Sequence, residues 1–250
     1  MTLHRFFASG PVPDAGQLPL SASDVHHIRD VLRLGPGDRV LLADETGAAV
    51  VRLTAVGEAA SGVRERTMAL TSVPRVVLAQ GVAKGDRMDA VIRQATEIGV
   101  SRVIPFTSER CVVRLDAVKA HTKAERWRRV AAEAAKQCQR ADVPDVADVV
   151  PLAQVPALLE GAAVLACWEE ADQAPGVGQA LREFELGPES EVAVVVGPEG
   201  GLASGEVALL RESGARVVTL GTTVLRTETA GVLAACLALY EQGGLGGRRD

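Results

Sequence analysis

At 250 residues, 47% of them hydrophobic, the chain is long enough to fill one large core or two smaller ones. Its longest apolar runs, such as Val192 to Val196 and Val232 to Leu239, fall short of the roughly 20 residues that cross a bilayer. Pro11, Pro13 and Asp14 stand where a secretory signal would need its apolar stretch, so no membrane span and a cytoplasmic location are expected. A net charge of −5 argues against indiscriminate coating of nucleic acid, but Lys119 to Arg140 carries seven Lys or Arg against Glu125 and Glu133, which makes that stretch +5 and the remainder −10.

Residues up to about Ser72 predict short strands at Arg39 to Ala43, Ala48 to Val56 and Thr67 to Leu70, punctuated by Gly35, Pro36, Gly37, Gly47 and Gly57. Ser23 can cap a helix from Ser23 to Leu32, where Val25, Ile28, Val31 and Leu32 fall at helical spacing. These elements predict a small β-barrel-like module, with a boundary at Thr71 to Arg75. Strand and helix then alternate: Val76 to Val82, Asp86 to Gly99, Arg102 to Phe106 and a long helix around Lys123 to Arg140. Further strands are expected at Ala163 to Trp168, Glu191 to Val196 and Arg216 to Leu220, with helices near Ser204 to Ser213 and Thr227 to Tyr240. Such alternation predicts an α/β domain on a mostly parallel sheet. The tail after Gln242 is Gly-rich and basic and is expected to fray.

The candidate chemistry lies in two loops. Gly197-Pro198-Glu199-Gly200-Gly201 follows an apolar strand and precedes a helix, where glycines let backbone amides approach a ligand; a tight turn with no ligand is the competing reading. Leu220 to Ala230 closes the next strand in the same way. There Thr227 or Thr229 can be an N-cap, and Glu228 suits a first helical turn without any ligand. Arg226 gains nothing from the dipole at a helix start, so an anion or substrate explains it better. Lys84, Arg87, Arg110, Arg114, Arg126, Arg129, Lys136 and Arg140 lie on or beside predicted loops and helices where they could meet phosphates, the alternative being a solvated charged face.

Neither a dinucleotide fingerprint, a P-loop nor a nucleophile elbow occurs. Cys111, Cys138, Cys167 and Cys236 are widely spaced and expected to be buried thiols, and His4, His26, His27 and His121 form no ligand pattern, so no metal is expected.

The chain resembles the RsmE family, the 16S ribosomal RNA uridine-N3 methyltransferases of the SPOUT superfamily. The match runs through His4-Arg5-Phe6-Phe7, His26 to Arg33, Lys84 to Asp89, Ala95 to Val100, Ser108-Glu109-Arg110, Glu133 to Cys138, Gly197 to Leu202 and Leu220 to Ala230. The last two segments, in that order near the C-terminus, are its most specific part. The resemblance implies a PUA-like RNA-binding domain over residues 1–72 and a methyltransferase domain over 73–250, whose last segments form a trefoil knot. It also implies a homodimer acting on 16S ribosomal RNA of the small subunit. S-adenosylmethionine would lie among Gly197, Pro198, Glu199, Gly200, Gly201, Leu220, Gly221, Val224, Leu225 and Arg226. Arg5, His27, Arg29 and Arg33 would join the basic residues above in gripping RNA. Arg226 is then the first candidate to stabilise the uridine anion, and Glu228 or Glu199 the candidates to take its N3 proton. Ribose 2′-O methylation, or a ribosome-assembly role without catalysis, stands as the alternative.

Overall fold

The computed structural model describes residues 3–44, 47–69, 75–138, 140, 142–171, 173–187 and 190–245. The expected boundary at Thr71 to Arg75 lies outside them but for Arg75, and so does the tail beyond Leu245. The chain divides into two compact units, Met1–Ser72 with Ala135–Val143, and Val73–Ala134 with Pro144–Asp250. The units therefore do not follow a single cut in the sequence.

The first unit holds β1 (His4–Phe7), β2 (Ala15–Gln17), β3 (Arg39–Asp44), β4 (Gly47–Val56) and β5 (Ala60–Ala69). They form a five-stranded sheet in the order β1-β3-β4-β5-β2, antiparallel except for the β1–β3 pair. Its core is Phe6, Val40, Leu42, Val51 and Leu53, packed with Val25 and Ile28. The expected helix is present as α1 (Ala22–His26) followed by a π-helical turn at His27–Val31. Its cap is Ser21 rather than Ser23: the Ser21 hydroxyl accepts the Asp24 N–H at 3.1 Å and donates to the Asp24 carboxylate at 2.7 Å. Serine at both positions offers the same side chain, and the backbone turns helical two residues earlier than the apolar spacing suggests.

The second unit carries β6 (Arg75–Gly81), β7 (Arg102–Thr107), β8 (Asp145–Val146), β9 (Val150–Pro151), β10 (Ala163–Cys167), β11 (Glu191–Val196) and β12 (Arg216–Val218). Every pairing among them is parallel, in the order β12-β10-β11-β6-β7-β8, with β9 also on β7. The helices are α2 (Arg87–Ile98), α3 (Ala117–Gln137), α4 (Val155–Leu158), α5 (Val177–Leu181), α6 (Ser204–Glu212) and α7 (Thr227–Glu241). One sheet face buries Val76, Leu78, Val192, Val194 and Leu165 with Met88 and Ile92 of α2 and Ala234 and Ala238 of α7. The other buries Val77, Ala79, Ile104, Phe106, Ala193 and Val195 with Val207 and Leu210 of α6. Burial on both faces is why these strands read as unbroken apolar runs instead of alternating ones. Because the strands are parallel, the ends of β6, β10, β11 and β12 open at one edge, where the loop after each can meet the others.

Candidate active site

A cavity of about 570 Å³ opens at that edge. The loop after β11 supplies Gly197, Pro198, Glu199 and Gly201, and the loop after β12 supplies Leu220 to Thr227, with Glu228 and Ala230 from α7. Steric demand explains the glycines. At Gly197 a Cβ would sit 2.7 Å from the Gly201 carbonyl carbon and 2.9 Å from the Leu202 nitrogen, so the loop can double back only without one. Gly201 has φ +70°, and a Cβ there would overlap the Glu169 carboxylate.

Gly200 departs from the expectation. It does not line the cavity; a Cβ would meet the Arg110 carbonyl oxygen at 2.8 Å, so its smallness serves close packing of two backbones.

The charged side chains are arranged unequally. Glu199 accepts the Lys84 backbone N–H at 2.8 Å and ion-pairs with Arg87 at 2.5 Å. Burial pushes its carboxyl up, but the Lys84 N–H, its own N–H and the Arg87 guanidinium outweigh that and hold it below the usual carboxylate value. Arg87 also lies 3.8 Å from Glu228, so an arginine expected to face RNA lines the cavity between two carboxylates. The second oxygen of Glu228 is buried with no hydrogen-bond partner among the described residues. Arg226 is the N-cap residue of α7, exposed, and its guanidinium has no hydrogen-bond or ion-pair partner among the described residues. Val224, 84% exposed, is an apolar side chain facing solvent on the same loop.

Neither threonine caps α7. Thr227 is instead buried, its hydroxyl donating to the Gly197 carbonyl at 2.6 Å. Sequence reasoning missed Cys167, Trp168 and Glu169, which follow β10 into the cavity, and Thr219 after β12. The end of β10 is also a strand end of a parallel sheet; it went unmarked because no glycine punctuates it. Burial pushes the Cys167 thiol up to about 12.

The other basic candidates are scattered, and most are engaged. Arg29 forms a two-point pair with Asp30, Arg110 pairs with Glu170 at 2.9 Å, and Arg126 pairs with Asp89 and Asp86. Lys136 reaches Asp24 at 2.7 Å and Arg140 reaches Asp142 at 2.8 Å. Arg5 is half-buried, and burial lowers its pKa against the raising effect of Cys138 and Asp142. His27 is exposed and meets Phe6 edge-on. Arg33 is exposed at φ +53°, a strained conformation for a side chain of its size. Lys84, Arg114 and Arg129 are exposed, and none of them forms an ion pair among the described residues.

Residues 71–239 match the model of the RNA methyltransferase domain family, and residues 20–59 that of the RNA methyltransferase PUA domain. Over 236 residues, 92% of each chain, the protein is 34% identical to ribosomal RNA small subunit methyltransferase E of Bacillus subtilis. Its identity to the protein of the same name from Mycobacterium bovis is 33% over 236 residues, 89% of this chain and 86% of the other. The crystal structure of a ribosomal RNA small subunit methyltransferase E from Neisseria gonorrhoeae bound to S-adenosyl methionine matches with a TM-score of 0.80 at 28% identity, over 94% of this chain and 96% of that one.

Proposed function

The chain belongs to the ribosomal RNA small subunit methyltransferase E family, and from that premise we propose that it methylates N3 of a uridine in 16S ribosomal RNA with S-adenosylmethionine. The observation that carries the reading is the cavity in which both C-terminal loops meet beside Arg226, an arginine with no ion-pair partner among the described residues. The residues fit the cofactor. The volume is that of a ligand pocket, glycines expose backbone amides and carbonyls, Val224 offers an apolar contact, and carboxylates suit a cationic sulfonium. The two loops without Gly200 would hold it.

S-adenosylmethionine supplies an already electrophilic methyl group, which leaves alignment and deprotonation of N3 to the protein. Loss of the N3 proton leaves negative charge on N3 and the flanking carbonyl oxygens, and the Arg226 guanidinium, with no carboxylate partner among the described residues, stabilises it. Glu199 is a poor proton acceptor because its Oε1 is engaged by Lys84 and Arg87 and its carboxyl is acidic. It holds Arg87 instead. Glu228, with one oxygen unclaimed, receives the proton.

The first 72 residues are assigned to RNA binding and 73–250 to catalysis, an assignment supported by the family models. A trefoil knot is supported by the path of α7, which follows edge strand β12 yet packs on β6 and β11 inside the sheet. A homodimer is supported by α7, whose Tyr240 is 46% exposed beside half-buried Leu233, Cys236 and Leu237. No described helix is long and apolar enough to cross a membrane, and the proposed ribosomal RNA substrate supports a cytoplasmic site of action.

Nucleoside mass spectrometry of ribosomal RNA from a deletion strain tests the reading. Loss of 3-methyluridine, restored by the wild-type gene, is the expected result. Loss of a 2′-O-methyl nucleoside would move the chemistry to the ribose, and no loss would leave an assembly factor without catalysis.

A further inference from the structure

We propose that Gln80 and Thr227 are positioning residues, a buried pair that sets Arg226 and Glu228 against the Gly197 loop during methyl transfer; the inference rests on the methyltransferase reading above. Gln80 is the penultimate residue of β6 and has no exposed surface, and Thr227, the first residue of α7, is 5% exposed. The Gln80 Nε2 donates to the Thr227 hydroxyl at 2.8 Å, and that hydroxyl donates onward to the Gly197 carbonyl at 2.6 Å. Longer contacts run from the same Nε2 to the carbonyls of Gly81 at 3.3 Å and Gly197 at 3.5 Å. With all its acceptors on one side, the amide can face only one way. Its oxygen points toward α7, where Gly231 leaves space that a Cβ would overlap.

This chain of donors joins three segments far apart in sequence and ends between the two residues assigned to catalysis, since Arg226 and Glu228 flank Thr227. Arg226 has neither a capping bond nor an ion pair among the described residues to hold it, so the fixed point of the helix start is Thr227. Stability alone does not call for such a pair. A buried hydrogen bond contributes little net free energy once both partners are counted, and here it also keeps the Gly197 carbonyl satisfied. Directional bonds add what apolar contact cannot: a defined distance between the loop carbonyl and the start of the helix. Groups that stabilise charge appearing only in reaction depend on that kind of placement, and a shift of about 1 Å can cost on the order of 100-fold in rate.

The test is single-turnover methylation of small-subunit ribosomal RNA at saturating S-adenosylmethionine by full-length wild type, Thr227→Val, Thr227→Ser and Gln80→Met, with a thermal melt of each. Thr227→Val keeps the shape and loses the hydroxyl, and should be slower by roughly 10- to 100-fold. Thr227→Ser keeps the hydroxyl and should recover most of the rate. Gln80→Met, which removes the first donor, should be slowed in the same sense and supplies the comparison should Thr227→Val fail to fold. Equal rates for the valine and serine variants, or a Gln80→Met variant at the wild-type rate, would overturn the inference while leaving the function intact. A folded wild type that methylates no uridine would overturn the function and this inference together.

Discussion

Arg226 stands at the one end of a helix where a cation is electrostatically unwelcome, because the first turn already carries the positive end of the dipole. Among the described residues it has no carboxylate partner to offset that cost. If its role is to meet an anion formed only in reaction, Arg226→Ala should lower the single-turnover rate by about 100- to 1000-fold. Cofactor affinity measured by calorimetry should change little, and Arg226→Lys should recover only part of the rate, since it keeps the charge without the planar fork. The defect should shrink as pH rises, because hydroxide then removes the N3 proton without help. A normal rate at saturation with weakened cofactor binding would make Arg226 a cofactor ligand instead. Glu199 invites a different pH experiment. Its carboxyl is more acidic in the folded chain than in the unfolded one, so its pairing stabilises the fold at neutral pH. That contribution begins to fade as pH falls into the ordinary carboxylate range and is gone below the depressed folded value. Melting temperatures of wild type and Glu199→Gln should therefore differ most at neutral pH and converge in acid. A constant gap would mean that the charge of Glu199 is not what the variant removes.

At the scale of elements, glycines in one loop do different work. Gly197→Ala forces the turn apart, since the new carbon would lie 2.7 Å from the Gly201 carbonyl carbon. Calorimetry should show S-adenosylmethionine binding lost or severely weakened in a protein that still melts cooperatively. Unchanged affinity would remove this loop from the cofactor site. Gly200→Ala pushes on the Arg110 backbone and should act more on stability than on affinity. That division was not legible in the sequence, where all the loop's glycines look alike. What was legible has a physical reason. Strands β6, β7, β10 and β11 are buried on both faces and advertise themselves as apolar runs. Strands β2, β8 and β9 have two or three residues and no such signature, so they went unseen. Arg226 and both loops that line the cavity could be picked out because glycine and charge at a strand end mark them. Gln80 could not, because a glutamine within an apolar strand announces nothing until the fold brings Thr227 and Gly197 to it.

For the molecule as a whole, charge counted along the sequence overstates the charge available to RNA. The stretch from Lys119 to Arg140 is +5 in sequence, yet Arg126, Arg128, Lys136 and Arg140 all have carboxylate partners. Arg129 does not pair in this way, and neither does Arg33 in the first unit. Arg33→Ala and Arg129→Ala should each weaken RNA binding and reduce the slope of log affinity against log salt by roughly 0.7 to 0.9, the contribution of one phosphate contact. Unchanged affinity and slope would return both to an ordinary solvated surface. Light scattering at micromolar concentration should give twice the mass of the 26.1 kDa chain, whereas a monomer mass would refute the proposed dimer.

The closing of the cavity by α7 sets a timetable for synthesis. Gln80 waits for a partner 147 residues downstream, and Arg226 and Glu228 flank that partner. While α7 is still inside the ribosomal tunnel, β6 and β11 can already pair, but the wall formed by α7 does not yet exist. A growing chain should thus be unable to hold the cofactor, whatever the state of its first unit. The cavity becomes a property of the chain only once α7 has docked.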